Sequence, residues 1–314
     1  MLDPVPSRSG STAFVKFADI KEINTTTLDG ELAFNDPALD PRLSQIYDRA
    51  DYDSKPKTRE EAESLGVKGF NGLQTSCRLI EQVGDRLNVT LQPARYLLSE
   101  AMESGVKNGR FGNDNLFEIS PRLANVSAIA VVRDSKTQDY YLVGRLKGYT
   151  RGENEVHAAQ TAVGVTAEYL KAENPLLAAL GDEARKENGP SNIKFSPSDF
   201  LMMIDESPIG LVNFVAVSSG LGLDDLRESF WQRTRGLEVE KLKARGLGLL
   251  PVAGLVLIPM EQRQGVKGVR IITPTEQGLT ETSADTVARP YTVALAGFLE
   301  DPANQKMILE RAGY

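Results

Sequence analysis

Cysteine and histidine are almost missing from this chain of 314 residues, which has one of each, Cys77 and His157, and a single tryptophan, Trp231. A lone cysteine forms no intrachain disulfide, and a structural zinc site needs about four Cys or His ligands. Both kinds of covalent or metal staple are excluded. Any metal must then be a hard cation held by oxygen: magnesium, manganese or calcium. Long apolar runs are missing too. The stretch 249–260 is among the longest, yet Pro251 and Pro259 interrupt it, and it falls far short of the roughly 20 residues that span a bilayer. No membrane helix is expected. The opening Met1-Leu2-Asp3-Pro4-Val5-Pro6 has neither the basic start nor the apolar stretch of a secretory signal, so a reducing, cytoplasmic location is expected. Charge of one sign is not concentrated either. Thirty-six basic against 43 acidic residues give a formal charge of −7 with no long block of either sign, which disfavours general nucleic-acid binding. Gly-x-Ser-x-Gly elbows and paired Cys/His arrangements are absent, removing the commonest nucleophilic hydrolases.

What is present is enough apolar material, 41% of the chain, to bury a substantial core. Residues 1–65 are polar, proline-containing and acidic, with a short strand candidate at 13–17 and a helix-like stretch at 59–65. Segments 73–81 and 87–91 flank the turn-like Val83-Gly84-Asp85-Arg86 and suggest a hairpin, followed by a short helix at 96–104 with Gly105 as its stop. Strand candidates at 126–132 and 140–145 bracket a charged loop, and 156–165 reads as a third. The character then changes. Over 174–188, Pro175 suits a first turn, Asn174 a cap, and Leu176, Ala179, Leu180 and Ala184 form an apolar stripe, predicting one helix with that stripe on the sheet. Further strands are expected at 200–204 and 211–217, helices at 224–231, 237–245 and 291–299, and strands or helices at 249–258 and 269–272. Strands that precede and enclose one central helix favour an α+β fold with a mixed sheet covered by helices.

The chemistry-bearing stretch is Gly181-Asp182-Glu183-Ala184-Arg185-Lys186-Glu187-Asn188-Gly189. Glu183 and Glu187 are four apart, so on a helix both carboxylates lie on one face and can reach one divalent ion. The same spacing is common on solvated helices, where Glu187 would pair with a nearby base. With Gly189 as the closing glycine, the stretch resembles the Arg-Glu-apolar-x-Glu-Glu-x-Gly helix of the Nudix hydrolases. Glu183 and Glu187 fall on the first and last glutamates and Ala184 on the apolar position. Asp182 stands in place of the arginine, Lys186 in place of the middle glutamate, and Pro190 in place of the closing aliphatic residue. Strands 125–132 and 140–145 are similar to the family's opening pair, ending in the basic Arg145. Residues 163–168, with Gly164, are similar to its glycine loop, with four extra residues before the helix. Phe70-Asn71-Gly72, Arg78-Leu79 and 87–91 with Tyr96 are loosely like the lead-in of the UDP-sugar-cleaving branch.

That resemblance covers roughly residues 70–299 and implies an α/β/α sandwich preceded by an N-terminal extension. It divides the chain into an arm at 1–69, a lead-in hairpin and helix at 70–120, and a Nudix-like domain at 121–314. It implies a nucleotide-linked small molecule as partner and magnesium or manganese as cofactor, with Glu183, Glu187 and Glu168 as ligands. Glu183 and Glu187 would be catalytic, and Arg145 and Lys186 would bind substrate. The metal would act as Lewis acid at a diphosphate. A lysine among the ligands lowers the charge available for metal, although its ammonium can meet phosphate. A second expectation therefore stands beside the hydrolase, a catalytically inactive protein of the same fold that binds a nucleotide or a protein. Oligomeric state is not legible. His157 reads as an edge or core histidine, Cys77 as a buried small side chain, and Phe230 with Trp231 as core aromatics. Gly144, Gly148 and Gly152, interleaved with Arg145, Lys147 and Arg151, match neither phosphate-loop spacing and read as a flexible loop.

Overall fold

The fold is that of a computed structural model and is described for residues 12–32, 49–67, 70–98, 122–147, 155–188, 194–207, 211–218, 222–234, 254–260, 269–275, 277–284, 287–288 and 290–314. In chain order the strands are β1 (Thr12–Phe17), β2 (Glu22–Thr27), β3 (Leu73–Val83), β4 (Arg86–Arg95), β5 (Arg122–Arg133), β6 (Tyr140–Lys147), β7 (Glu155–His157), β8 (Thr161–Gly164), β9 (Phe200–Ser207), β10 (Leu211–Ser218), β11 (Gly254–Pro259), β12 (Val269–Thr275), β13 (Gly278–Ala284) and β14 (Val287–Ala288). The helices are α1 (Arg49–Ser54), α2 (Arg59–Ser64), α3 (Pro175–Asn188), α4 (Leu223–Thr234), α5 (Pro290–Phe298) and α6 (Pro302–Ala312). Among the described residues no helix is long and apolar enough to cross a membrane.

Strand β5 organises these elements. Its sequence, RLANVSAIAVVR, alternates small and β-branched residues, and almost all of it is buried, as expected of a strand covered on both faces. Along one edge β10 runs parallel to it, from Leu211 opposite Leu123 to Ser218 opposite Ala130. β9 and β1 extend that side in antiparallel steps. Along the other edge β5 has three successive antiparallel neighbours: β3 at Arg122 and Leu123, β8 at Asn125 to Ala128, and β6 at Val131 to Arg133. β6 then leads outward through β11 and β12 to β13. The sheet is mixed, and the three strands expected around the central helix lie side by side in the order β10, β5, β6.

Helices cover both faces. Leu176, Ala179 and Leu180 of α3 are buried against Val126, Ala128 and Phe214, so the apolar stripe read from the sequence is the stripe that packs. On the opposite face Tyr291, Leu295 and Ile308 of α5 and α6 pack on Ile129, Met202 and Val215. α4 lays Leu223, Leu226 and Phe230 on Val143, Leu255 and Leu257, farther out on the β6 side. The architecture is α+β, with helices on both sides of a mixed sheet.

Several expectations are corrected in detail. The strand expected at 156–165 is two short strands, because β7 pairs with β6 whereas β8 pairs with β5. The chain crosses between the two partners at Ala158, Ala159 and Gln160. Residues read as an N-terminal arm also take part in the sheet. β1 pairs with β9, β2 runs parallel to β4, Ile20, Ile23 and Leu32 are buried, and Arg95 grips Glu31 through Nε and Nη2 at 2.9 and 3.0 Å. Their sequence hides this because β2, EINTTT, turns only Ile23 fully inward. The helix expected at 237–245 lies outside the described residues, and of the one at 96–104 only Tyr96, Leu97 and Leu98 are described, as helix.

Because Leu180 is fully buried between α3 and the sheet, Leu180→Ala is expected to lower stability by about 2–5 kcal/mol. Urea unfolding followed by circular dichroism reads this directly, with the midpoint falling at an unchanged slope.

Candidate functional site

Helix α3 starts as its sequence dictates. The Asn174 side-chain oxygen accepts from the Leu177 amide at 3.1 Å, Pro175 occupies the first turn, where its missing N–H costs nothing, and Ala178 N donates to Asn174 O at 3.0 Å. With the apolar stripe turned to the sheet, Arg185 and Lys186 are left on the outer side, Asp182 is half-buried beside them, and Glu183, 19% exposed, continues the stripe's own side of the helix. Lys186 Nζ lies 2.7 Å from Asp182 Oδ2 and 3.7 Å from Glu183 Oε2. Arg185 Nη2 lies 3.2 Å from Asp182 Oδ1. Tyr169, on the 3-10 turn Ala167–Lys171, donates its hydroxyl to Asp182 Oδ2 at 2.8 Å.

These contacts set the charge states. The hydrogen bond from Lys186 and then that from Tyr169 hold the Asp182 carboxyl below the usual carboxylate range. The reciprocal bond to Asp182 raises Lys186. Burial, reinforced by the bond to Asp182, pushes the Tyr169 phenol up to about 12. The cluster is thus a fixed ionic pair with a neutral tyrosine on its flank at neutral pH.

The acids assigned to a metal are distributed unevenly. Glu183 is 19% exposed and shares Lys186 with Asp182. Glu168 is exposed and accepts from Thr166 Oγ1 at 3.0 Å. Glu187 lies in the last turn of α3, and its side chain lies outside those described. Among the described residues no three of His, Cys, Asp and Glu are grouped as a metal ion would require.

Arg145, expected at a substrate, is instead buried inside the fold, with Nε donating to Ala159 O at 3.0 Å. It braces the crossing between β7 and β8. The loop glycines Gly148 and Gly152 lie outside the described residues. His157 is buried with its ring 4.6 Å from that of Tyr291. Burial raises the Cys77 thiol, which makes it inert as a nucleophile. Phe230 is core, as expected, and Trp231 beside it is half-buried.

Sequence reasoning passed over Asp182 and Tyr169. The signal for Asp182 was available as an Asp-x-x-x-Lys spacing, which places opposite charges on one helix face. Tyr169 carries no comparable local signal, because it meets Asp182 only through the packing of the 3-10 turn on α3.

No family model matches the sequence, and no curated protein matches it at a significant level. Among solved structures, the crystal structure of a MutT/nudix family protein from Enterococcus faecalis is similar over 67% of this chain and 74% of that one, at 11% identity and a TM-score of 0.35. A superposition that loose defines neither the fold nor the activity of this chain.

The Asp182 cluster makes its own forecast. Tyr169→Phe removes one of the three contacts that stabilise the carboxylate, those from Lys186, Tyr169 and Arg185, so the Asp182 pKa should rise toward the ordinary value, a shift read by NMR titration of its side-chain carbonyl carbon. Since the folded value is the depressed one, this group's stabilisation is present above the unfolded pKa and is lost as pH falls through the folded pKa. The variant should lose it at a higher pH than the wild type.

Proposed function

We propose that the chain is a binding protein on a Nudix-like α/β/α scaffold, one that does not hydrolyse a diphosphate through helix α3. The observation that carries this reading is the placement of the Lys186 ammonium between Asp182 and Glu183. A hard divalent cation seeks several oxygens with negative charge to spare. Here the positive charge is supplied by the chain itself, and Asp182 also accepts from Tyr169. The described donors therefore do not suit magnesium or manganese, and no catalytic step is assigned to either ion.

Support for the scaffold comes from the order of elements: paired strands β5 and β6, then a helix whose apolar stripe packs on the sheet, then β10 returning parallel to β5. A nucleotide-linked small molecule is the ligand class this scaffold resemblance implies. Lys186 and Arg185, 60% and 69% exposed, are the cations on α3 that an anionic group would meet.

The test combines calorimetry with phosphate release. Wild-type protein should release no phosphate from a panel of nucleotide sugars and dinucleotides, with or without magnesium, and Glu183→Gln and Glu187→Gln should not alter its magnesium titration. Lys186→Glu replaces the resident cation with a carboxylate and should tighten magnesium binding at least about tenfold. Magnesium-dependent release by the wild type, abolished in Glu187→Gln, would restore the hydrolase.

A further inference from the structure

On the face opposite α3, the sheet breaks its own rule. Its upper half is apolar, with Ile129, Val215 and Met202 under α5 and α6. Its lower end instead carries a row of polar side chains drawn from separate strands. Gly164 pairs with Asn125, Asn125 pairs with Asn213 across the parallel ladder, and Gln74 bridges to Thr166 next to Gly164. The pleat puts all of these on one face, that of Ser127, whose hydroxyl donates to Tyr291 OH at 3.1 Å. A Cβ at Gly164 would sit 3.2 Å from Asn125 Oδ1 and 3.4 Å from Gln74 Oε1, so the glycine keeps open the space on which two side-chain amides converge. From β3 through β8 and β5 to β10 the row spans about 14 Å, three strand spacings.

Two buried groups in this region have no partner among the described residues. Asn213, 1% exposed, gives its Nδ2 to Glu206, and its Oδ1 meets no partner among the described residues. Ser76, 1% exposed and facing the same way from β3 opposite Leu123, likewise has a hydroxyl with no partner there. Leaving such a group unsatisfied in the interior is unfavourable. Toward the outside the row becomes accessible, since Gln74, Asn125 and Gly164 are half-buried. Just before β3 the Phe70 ring lies over Gly72, which is two residues ahead of Gln74, at 2.5 Å from where a Cβ on that glycine would be, and is 38% exposed.

We propose that this row is a binding site for a polyhydroxylated ring, a pyranose or a similar polyol. A hydroxyl both donates and accepts, and so does a side-chain amide, so Gln74 and Asn125 can serve such a ligand in either orientation. At the inner end the Asn213 carbonyl is an acceptor, which a hydroxyl donor satisfies. Phe70 supplies the apolar face on which the C–H side of a ring rests. The site is independent of Lys186 and the acids of α3, which lie across the sheet from it.

Saturation-transfer NMR on the full chain, with glucose, galactose, mannose, N-acetylglucosamine and inositol at millimolar concentration, tests the assignment. At least one of these is expected to receive saturation. Gln74→Ala, Asn125→Ala and Phe70→Ala should each weaken it by about tenfold, the scale of one lost hydrogen bond or stacking contact. All three positions are half-buried or exposed, so an unchanged thermal midpoint certifies that each variant folds. Lys186→Glu should leave this binding unchanged, which separates the site from the one on α3. The proposal is overturned if no member of the panel receives saturation, or if binding survives Asn125→Ala. It is equally overturned if nucleotide sugars bind while the free sugars do not, because a diphosphate contact would then carry the affinity.

Discussion

Everything in this fold hangs on the double engagement of β5. A strand has two edges, and one edge of β5 is taken along eight residues by β10. The other is divided among β3, β8 and β6. Three neighbours in succession on one edge mean that partners must diverge as the strand proceeds, and the twist of the sheet supplies that divergence. The splitting of β7 from β8 follows from it. Once β6 has left β5, the chain entering from β7 can bond to β6 and the chain in β8 to β5, and a continuous strand could do only one of these.

The opening between the diverging partners has to be filled, and polar groups do much of the filling. Arg145 extends its guanidinium to the Ala159 carbonyl inside the crossing, Thr292 of α5 accepts from the Ala158 amide at 2.9 Å, and Gln160 N bonds Ala128 O at 2.8 Å. Backbone that leaves a ladder must find other partners or bear the cost of burial without them. Lower on β5 the ionic pair of Arg122 with Asp205 is buried beside Cys77, and burial draws the Arg122 guanidinium down to about 10. Such pairs add little net stability over an apolar packing. Their effect is to fix register: shifting β9 by one residue would turn Asp205 to the other face and leave a charge unpaired in the core.

This division explains what could be read from the sequence. The helix at α3 was legible to its cap, because Asn174, Pro175 and the stripe of Leu176, Ala179, Leu180 and Ala184 are local signals repeated within a few residues. Strands β5, β6 and β10 were legible because burial on both faces writes near-continuous apolar runs. β2 was not, since one inward isoleucine among threonines leaves no period to detect. Arg145 was taken for a substrate residue on the resemblance alone, as the basic residue that ends the second of the paired strands. Only the crossing at 158–160, a tertiary feature, turns it inward. The helix acids were found, but their environment was not, because Tyr169 reaches Asp182 from another segment.

Two sets of polar residues therefore lie on opposite sides of one sheet with opposite electrostatic characters. On α3 the acids are balanced within one turn of helix: Lys186 and Arg185 answer Asp182, and Lys186 also approaches Glu183. Charges so matched at an exposed helix face are worth little in stability and leave little unbalanced charge for an incoming ion. Across the sheet the balance is unfinished. The Asn213 carbonyl and the Ser76 hydroxyl are buried without partners among the described residues, while two half-buried amides and an aromatic ring stand at the accessible end of the same row. A group that is already satisfied resists a ligand, because binding must first break what exists. A group whose partner is missing favours one, since the desolvation has been spent in folding and only the bond remains to be made.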